Sequence, residues 1–282
     1  MKKHFFILIV ILLPAYSGFS QIPTKPSLEL GVFLGCSYYI GDLNQLGHFN
    51  QFTKPAAGAA IRYNFNPRLA VRANAFYGSI EGDDSFSDSP AQQQRNLNFK
   101  SDIYELSAQL EFNFLDYEIG NDKRLFSPYI FGGVAGFKFN PRGNYNGRWF
   151  DLQPLATEGQ GMSGSAVKKK YNLVQFAIPF GVGVKANLSK NIGISIEWGM
   201  RKTRTDYLDD VSTRYYDPVA IGTRNGIAAA ELSDPSIGTD PNYSNVGRQR
   251  GNPTTKDWYS FAGIVLTIKL KEKRETCPGV FD

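Results

Sequence analysis

Residues Leu173–Arg201 read LVQFAIPFGVGVKANLSKNIGISIEWGMR. Val174, Phe176, Ile178, Phe180, Val182, Val184 and Ala186 fall on every second position, with Gln175, Ala177, Pro179, Gly181, Gly183, Lys185 and Asn187 between them. After the polar turn Ser189-Lys190-Asn191 the pattern restarts: Ile192, Ile194, Ile196, Trp198 and Met200 alternate with Gly193, Ser195, Glu197, Gly199 and Arg201. A period of two is the mark of strands, and two such runs around a tight turn make a hairpin. Strands of soluble sandwiches usually have about 5–6 residues. These are about twice that length, which is what a tilted strand needs to cross an outer membrane.

Working outward, the same alternation recurs at residues 28–40, 56–65, 69–79, 102–115, 128–139 and 258–270. With the hairpin this predicts eight strands. The connections alternate long and short, with Asn66-Pro67 and Ser189-Lys190-Asn191 as tight turns. An even strand number with alternating short turns and long loops is the pattern of an outer-membrane barrel. The expected fold is therefore all-β: an eight-stranded antiparallel up-and-down transmembrane β-barrel with long extracellular loops. Closure removes the sheet edges that lipid could not satisfy. Both termini are expected in the periplasm. Residues 81–98, 140–170 and 202–256, rich in polar residues, glycine and proline, read as loops.

Composition agrees. A mean hydropathy of −0.30 resembles that of a soluble protein, as expected when only alternate residues face lipid. Aromatic residues at 14% and 28 glycines fit interfacial girdles and closely packed strands. Lys2 and Lys3, the apolar run Phe5–Leu13 and the small residues Gly18 and Ser20 predict a signal peptide over residues 1–20. Residues 21–270 then form the barrel and residues 271–282 a periplasmic tail. No window reaches the length of an apolar transmembrane helix. The net charge of +5 is small and dispersed, which argues against a nucleic-acid partner. Lys168-Lys169-Lys170 and the basic start of the tail read as solvated surface.

Eight strands enclose an interior that side chains can fill. The inward rows are expected to carry Glu29, Glu105, Glu111 and Glu197 against Arg62, Arg72, Lys138, Lys185 and Arg201. Residues 128–139 offer two rows, Tyr129, Phe131, Gly133, Ala135, Phe137 and Phe139 against Ile130, Gly132, Val134, Gly136 and Lys138, and the second reads as lumenal. Mixed signs favour a salt-bridge plug over an ion path, which single-sign rings would mark. His48 is the mature chain's one histidine, and no spacing sets it beside a nucleophile, so no enzyme and no cofactor are expected. Asp206, Asp209 and Asp210 lack a calcium-loop spacing and read as turn-capping aspartates.

Two stretches resemble a known family: Tyr38-Tyr39-Ile40-Gly41-Asp42-Leu43-Asn44 and Arg204-Thr205-Asp206-Tyr207-Leu208-Asp209-Asp210-Val211-Ser212. With the leader and the eight strands they resemble PorG-type outer-membrane barrels of the Bacteroidota. The resemblance implies a non-enzymatic subunit of the type IX secretion apparatus, beside a periplasmic ring of PorK and PorN type. Both stretches lie at the outer strand ends, so they read as determinants of the rim. A competing expectation is a stand-alone barrel whose outer loops bind a surface ligand. In the tail, Cys277, Pro278 and Phe281 are the expected partner contacts. Cys36 is expected on the lipid face, out of disulfide reach of Cys277, which leaves Cys277 for an intermolecular disulfide.

Overall fold

A computed structural model describes residues 26–44, 47–236 and 244–270. The leader, Cys277, Pro278 and Phe281 lie outside the described residues. The strands are β1 Ser27–Ile40, β2 Lys54–Asn64, β3 Leu69–Asp83, β4 Asn98–Asn113, β5 Phe126–Lys138, β6 Arg142–Tyr145, β7 Arg148–Asp151, β8 Val174–Asn187, β9 Ile192–Thr203 and β10 Trp258–Lys269. Eight of them close an antiparallel barrel in the order β1-β2-β3-β4-β5-β8-β9-β10, with β10 back on β1. The short hairpin β6–β7 joins β4 above the rim through Lys100 and Arg142.

The tight turns have simple causes. The Asn66 side chain accepts from the amides of Arg68 and Leu69 at 2.8 and 2.9 Å, an Asx turn that sets the β2–β3 hairpin. At the other hairpin the amides of Leu188 and Ser189 donate to the Ile192 carbonyl at 2.9 and 3.0 Å. The third short connection, between β4 and β5, folds under the barrel and buries Tyr117 and Ile119. β1 begins and β10 ends at this turn end, where Glu29 lies opposite Lys269.

Alternation decides burial along each strand. On β8, Val174, Phe176, Ile178, Phe180, Val182 and Val184 are exposed while Ala177 and Lys185 are buried. On β10, Ile264, Leu266 and Ile268 are exposed while Tyr259, Phe261 and Val265 are buried. The exposed rows join into an apolar belt around the wall, far larger than the patches soluble monomers tolerate.

Strand β5 is turned over relative to expectation. Tyr129, Phe131, Ala135 and Phe137 face inward, and Lys138 is exposed on the outer wall. Register shows why: Phe131 lies opposite Glu111 and Phe137 opposite Glu105, both lumenal, while Lys138 is level with exposed Tyr104 and Val174. The lumenal cations use those rings. The Arg72 guanidinium lies 5.2 Å from the Phe131 centroid and the Lys185 ammonium 4.2 Å from that of Tyr129.

The long connections are more ordered than their composition suggests. β3 and β4 pair as far as Asp83 and Asn98, because Ile80, Phe99 and Ile103 point inward and are fully buried. Beyond them come a 3-10 turn at Asp84–Phe86 and α1 Pro90–Arg95. The other long connections carry α2 Leu152–Leu155, α3 Pro218–Asn225 and α4 Ile227–Ser233. At α3 the Asp217 side chain accepts from the Val219 amide at 2.9 Å, with Pro218 in the first turn. These pieces pack together as a cap over the loop-end mouth of the barrel.

Candidate functional site

The lumen holds a connected network of ion pairs around Glu111 and, higher up, a separate pair. Glu111 is fully buried and takes Arg62 at 2.9 Å, Arg72 at 3.0 Å and Lys185 at 2.7 Å. Arg62 reaches on to Glu29 at 3.0 Å, and Arg72 to Glu197 at 2.7 Å. Tyr129 donates to Glu197 at 2.8 Å, and Arg72 donates to Gln109 at 2.8 Å. Higher in the lumen Glu105 takes Arg201 at 3.1 Å and the Tyr259 hydroxyl at 2.9 Å. With Lys138 outside, the remaining lumenal charges balance. Glu29, Glu105, Glu111 and Glu197 face Arg62, Arg72, Lys185 and Arg201. Unpaired ions could not persist in such a space, and paired ones fill it. Between network and cap, Phe33, Phe76 and Phe261 pack ring to ring, with centroids 4.9 Å apart for the first pair and 5.1 Å for the second.

The cap is built on the second conspicuous stretch. Thr205, Asp206, Leu208, Asp209, Asp210, Val211 and Ser212 are all buried. Asp209 accepts from the Tyr39 hydroxyl at 2.5 Å, so the two conspicuous stretches meet at the barrel mouth. Asp257 accepts from the Leu208 amide at 2.9 Å. Asp206 accepts from the Ser212 hydroxyl at 2.7 Å. Asp210 accepts from Tyr171 at 2.7 Å and from Thr157. Asp42 accepts from the Asn252 amide at 2.9 Å. Glu158 gathers Ser212, Thr213 and Arg250, and Arg250 donates to the Asp210 carbonyl at 2.6 Å.

Burial raises the aspartate carboxyls of the cap. Asp206 and Asp210 are each pushed up to about 6. Asp209 and Asp257 are driven well above the usual carboxylate range by burial and by neighbouring acids, Asp42 for the first and Asp209 for the second. Each aspartate is engaged with a different backbone or hydroxyl donor, and among the described residues no group of His, Cys, Asp or Glu is arranged to hold a metal ion. His48 lies against the outer wall, where Nδ1 is 2.9 Å from the Tyr38 hydroxyl and the ring meets Trp198 edge to face. Cys36 is half-buried on the outward row, its thiol donating to the Ala262 carbonyl at 3.4 Å.

Some partners had a sequence signal and others had none. Tyr259 is on the inward row of its strand, and Tyr129 becomes visible once β5 is turned over. Glu158 and Arg250 sit in irregular segments with no period to assign them.

The sequence matches the family described as "Domain of unknown function (DUF6089)" over residues 2–226, more than half of the chain. The chain belongs to the DUF6089 family. No curated protein matches it. Solved structures similar to this DUF6089 barrel include Ail, the attachment invasion locus protein of Yersinia pestis, in complex with the heparin analogue sucrose octasulfate. That match has 10% identity and a TM-score of 0.41, covering 88% of this chain and 100% of that one. Neisserial surface protein A matches at 9% identity and a TM-score of 0.41, over 88% of this chain and 100% of that one. OprG from Pseudomonas aeruginosa matches at 8% identity and a TM-score of 0.35, over 86% and 97%. A closed barrel with an outward apolar belt and a lumen of paired charges is suited to a bilayer and not to water. This DUF6089 chain is an eight-stranded transmembrane β-barrel.

Proposed function

We propose that the protein is a non-enzymatic anchor subunit of an outer-membrane protein-secretion apparatus of type IX, held by its barrel and working through its periplasmic end. One observation carries the reading. The lumen is closed by a charge-balanced network and the loop-end mouth by a buried cap, so the barrel itself offers no route for a solute. A barrel that transports nothing serves as an anchor. The resemblance of Tyr38–Asn44 and Arg204–Ser212 to PorG-type barrels supplies the machine. In this reading the turn end and both termini face the periplasm. Cys277, Pro278 and Phe281 in the tail contact ring proteins of the PorK and PorN type, and Cys277 is available for a disulfide to one of them.

Purification from membranes in mild detergent tests this. Co-purification of the periplasmic ring proteins is the expected result, and a lone barrel that retains a surface ligand through its loops would replace it. On non-reducing gels a high-mass, reductant-sensitive band should be lost in Cys277→Ser.

A further inference from the structure

A trough crosses the outer wall between two rows of lipid-facing side chains. Its floor is backbone: Gly263, Glu197, Gly183 and Tyr129 lie level with one another on β10, β9, β8 and β5, in a row that points inward. Because it points inward, no side chain interrupts the trough, which has a volume of about 800 Å³. Its loop-side wall is Cys36, Ala262, Trp198, Val182 and Ile130. Its turn-side wall is Ile196, Val184 and Pro128. Phe49 stands at one end, its ring 5.1 Å from that of Tyr38. Phe114 stands at the other, its amide donating to the Pro128 carbonyl at 3.0 Å. Four strand spacings of about 4.8 Å make the trough roughly 19 Å long. A strand tilt of about 40° carries it roughly 12 Å along the bilayer normal, close to the depth of one leaflet, which is half of a core about 30 Å thick.

The loop-side end has a polar head. Trp198 donates its indole N–H to the Tyr38 hydroxyl at 2.7 Å, as interfacial aromatic residues do. His48, next to Phe49, is exposed. Its Nδ1 lies 2.9 Å from that hydroxyl, and among the described residues nothing meets Nε2. When the hydroxyl donates to Nδ1, Nε2 carries the ring proton. Inside the belt the occupant is lipid or another membrane protein. The convex wall of a second barrel cannot enter a trough one row wide, whereas an acyl chain can. A chain seated there meets protein on three sides instead of one, and such contacts are small singly and large together. We propose that the trough is a retained binding site for one acyl chain of a membrane lipid, its phosphate or ester oxygens at His48 and its tail running toward Phe114. The site rests on the belt and stands apart from the anchor reading.

Native mass spectrometry of the full-length mature protein in detergent tests it, with phosphatidylcholine as the probe. Wild type should keep a single lipid at detergent concentrations that strip the rest. Ala262→Phe, which sets a ring in the trough, should lose it. Ala73→Phe adds the same ring to the exposed outer row of β3 and should keep it. His48→Phe preserves the ring contacts and removes the nitrogens, so retention should fall. Brominated acyl chains then locate the lipid. With Trp149 and Trp258 replaced by Phe, the retained lipid should quench the emission of Trp198, and Ala262→Phe should restore it. A heat-modifiable gel shift verifies that each variant is folded. No retained lipid in wild type, full retention in folded Ala262→Phe, or unquenched Trp198 would each overturn the proposal. Unchanged retention in His48→Phe would overturn the placing of the head, and a dimer abolished by Ala262→Phe would give the wall to a second copy instead.

Discussion

Glu111 accepts from three lumenal cations while itself fully buried. Glu111→Gln keeps the shape and removes the charge, leaving Arg62, Arg72 and Lys185 to share Glu29 and Glu197. Breaking a buried pair from one side costs roughly 3–5 kcal/mol, and a drop of that size is expected in the urea unfolding free energy of the barrel in lipid vesicles. The exposed pair Arg68–Asp116, at 2.6 Å, is the contrast. Arg68→Ala should cost less than about 1 kcal/mol, because water already screens that interaction. Equal losses would mean that the lumen is wet enough to solvate its ions.

At the level of elements, the barrel strands were legible because membrane and lumen impose opposite demands on alternate residues. β8 could be read directly, since branched and aromatic side chains fill one row and small or charged ones the other. β5 misled because the cue was polarity alone. Its lumenal row is aromatic, where Tyr129 and Phe131 serve the cations, and its lipid row has glycines and ends in Lys138. Helices α3 and α4 were invisible, since each is too short to establish a period. The belt makes a direct prediction: Phe180→Arg, mid-strand on the outer wall, should impair assembly by about 2–4 kcal/mol, read as loss of the heat-modifiable folded band. The cap makes another. Asp210 holds its proton more tightly folded than unfolded, with a folded value of about 6 against an ordinary 3.8. That stabilisation is complete below the unfolded value and is lost as pH rises through the folded one. Asp206 acts in the same direction. Protection of cap amides at residues 204–213 from hydrogen exchange, corrected for intrinsic rate, should therefore fall between pH 4 and pH 7. Asp210→Asn should flatten part of that fall. Protection that grew with pH would contradict the burial argument.

For the whole molecule the question is whether anything passes through. Three layers block the axis, each with its own chemistry. Tyr117 and Ile119 close the turn end, the ion-pair network and the Phe33–Phe76–Phe261 cluster fill the middle, and the cap covers the mouth. A network of alternating sign also presents a permeating ion with as much repulsion as attraction, unlike the single-sign rings of conducting pores. Wild-type protein in planar bilayers should therefore show no steady conductance at either polarity. Replacing residues 218–236 with a short linker removes α3 and α4 but leaves the lumenal layers, so that variant should stay silent as well. Arg72→Ala combined with Glu197→Ala opens a gap in the network where the guanidinium and carboxylate met at 2.7 Å. In the shortened background that pair of substitutions is expected to give small, weakly selective openings. Steady conductance from the wild type would reassign the barrel as a channel, and openings caused by the linker variant alone would show that the cap, not the ion-pair plug, is the seal.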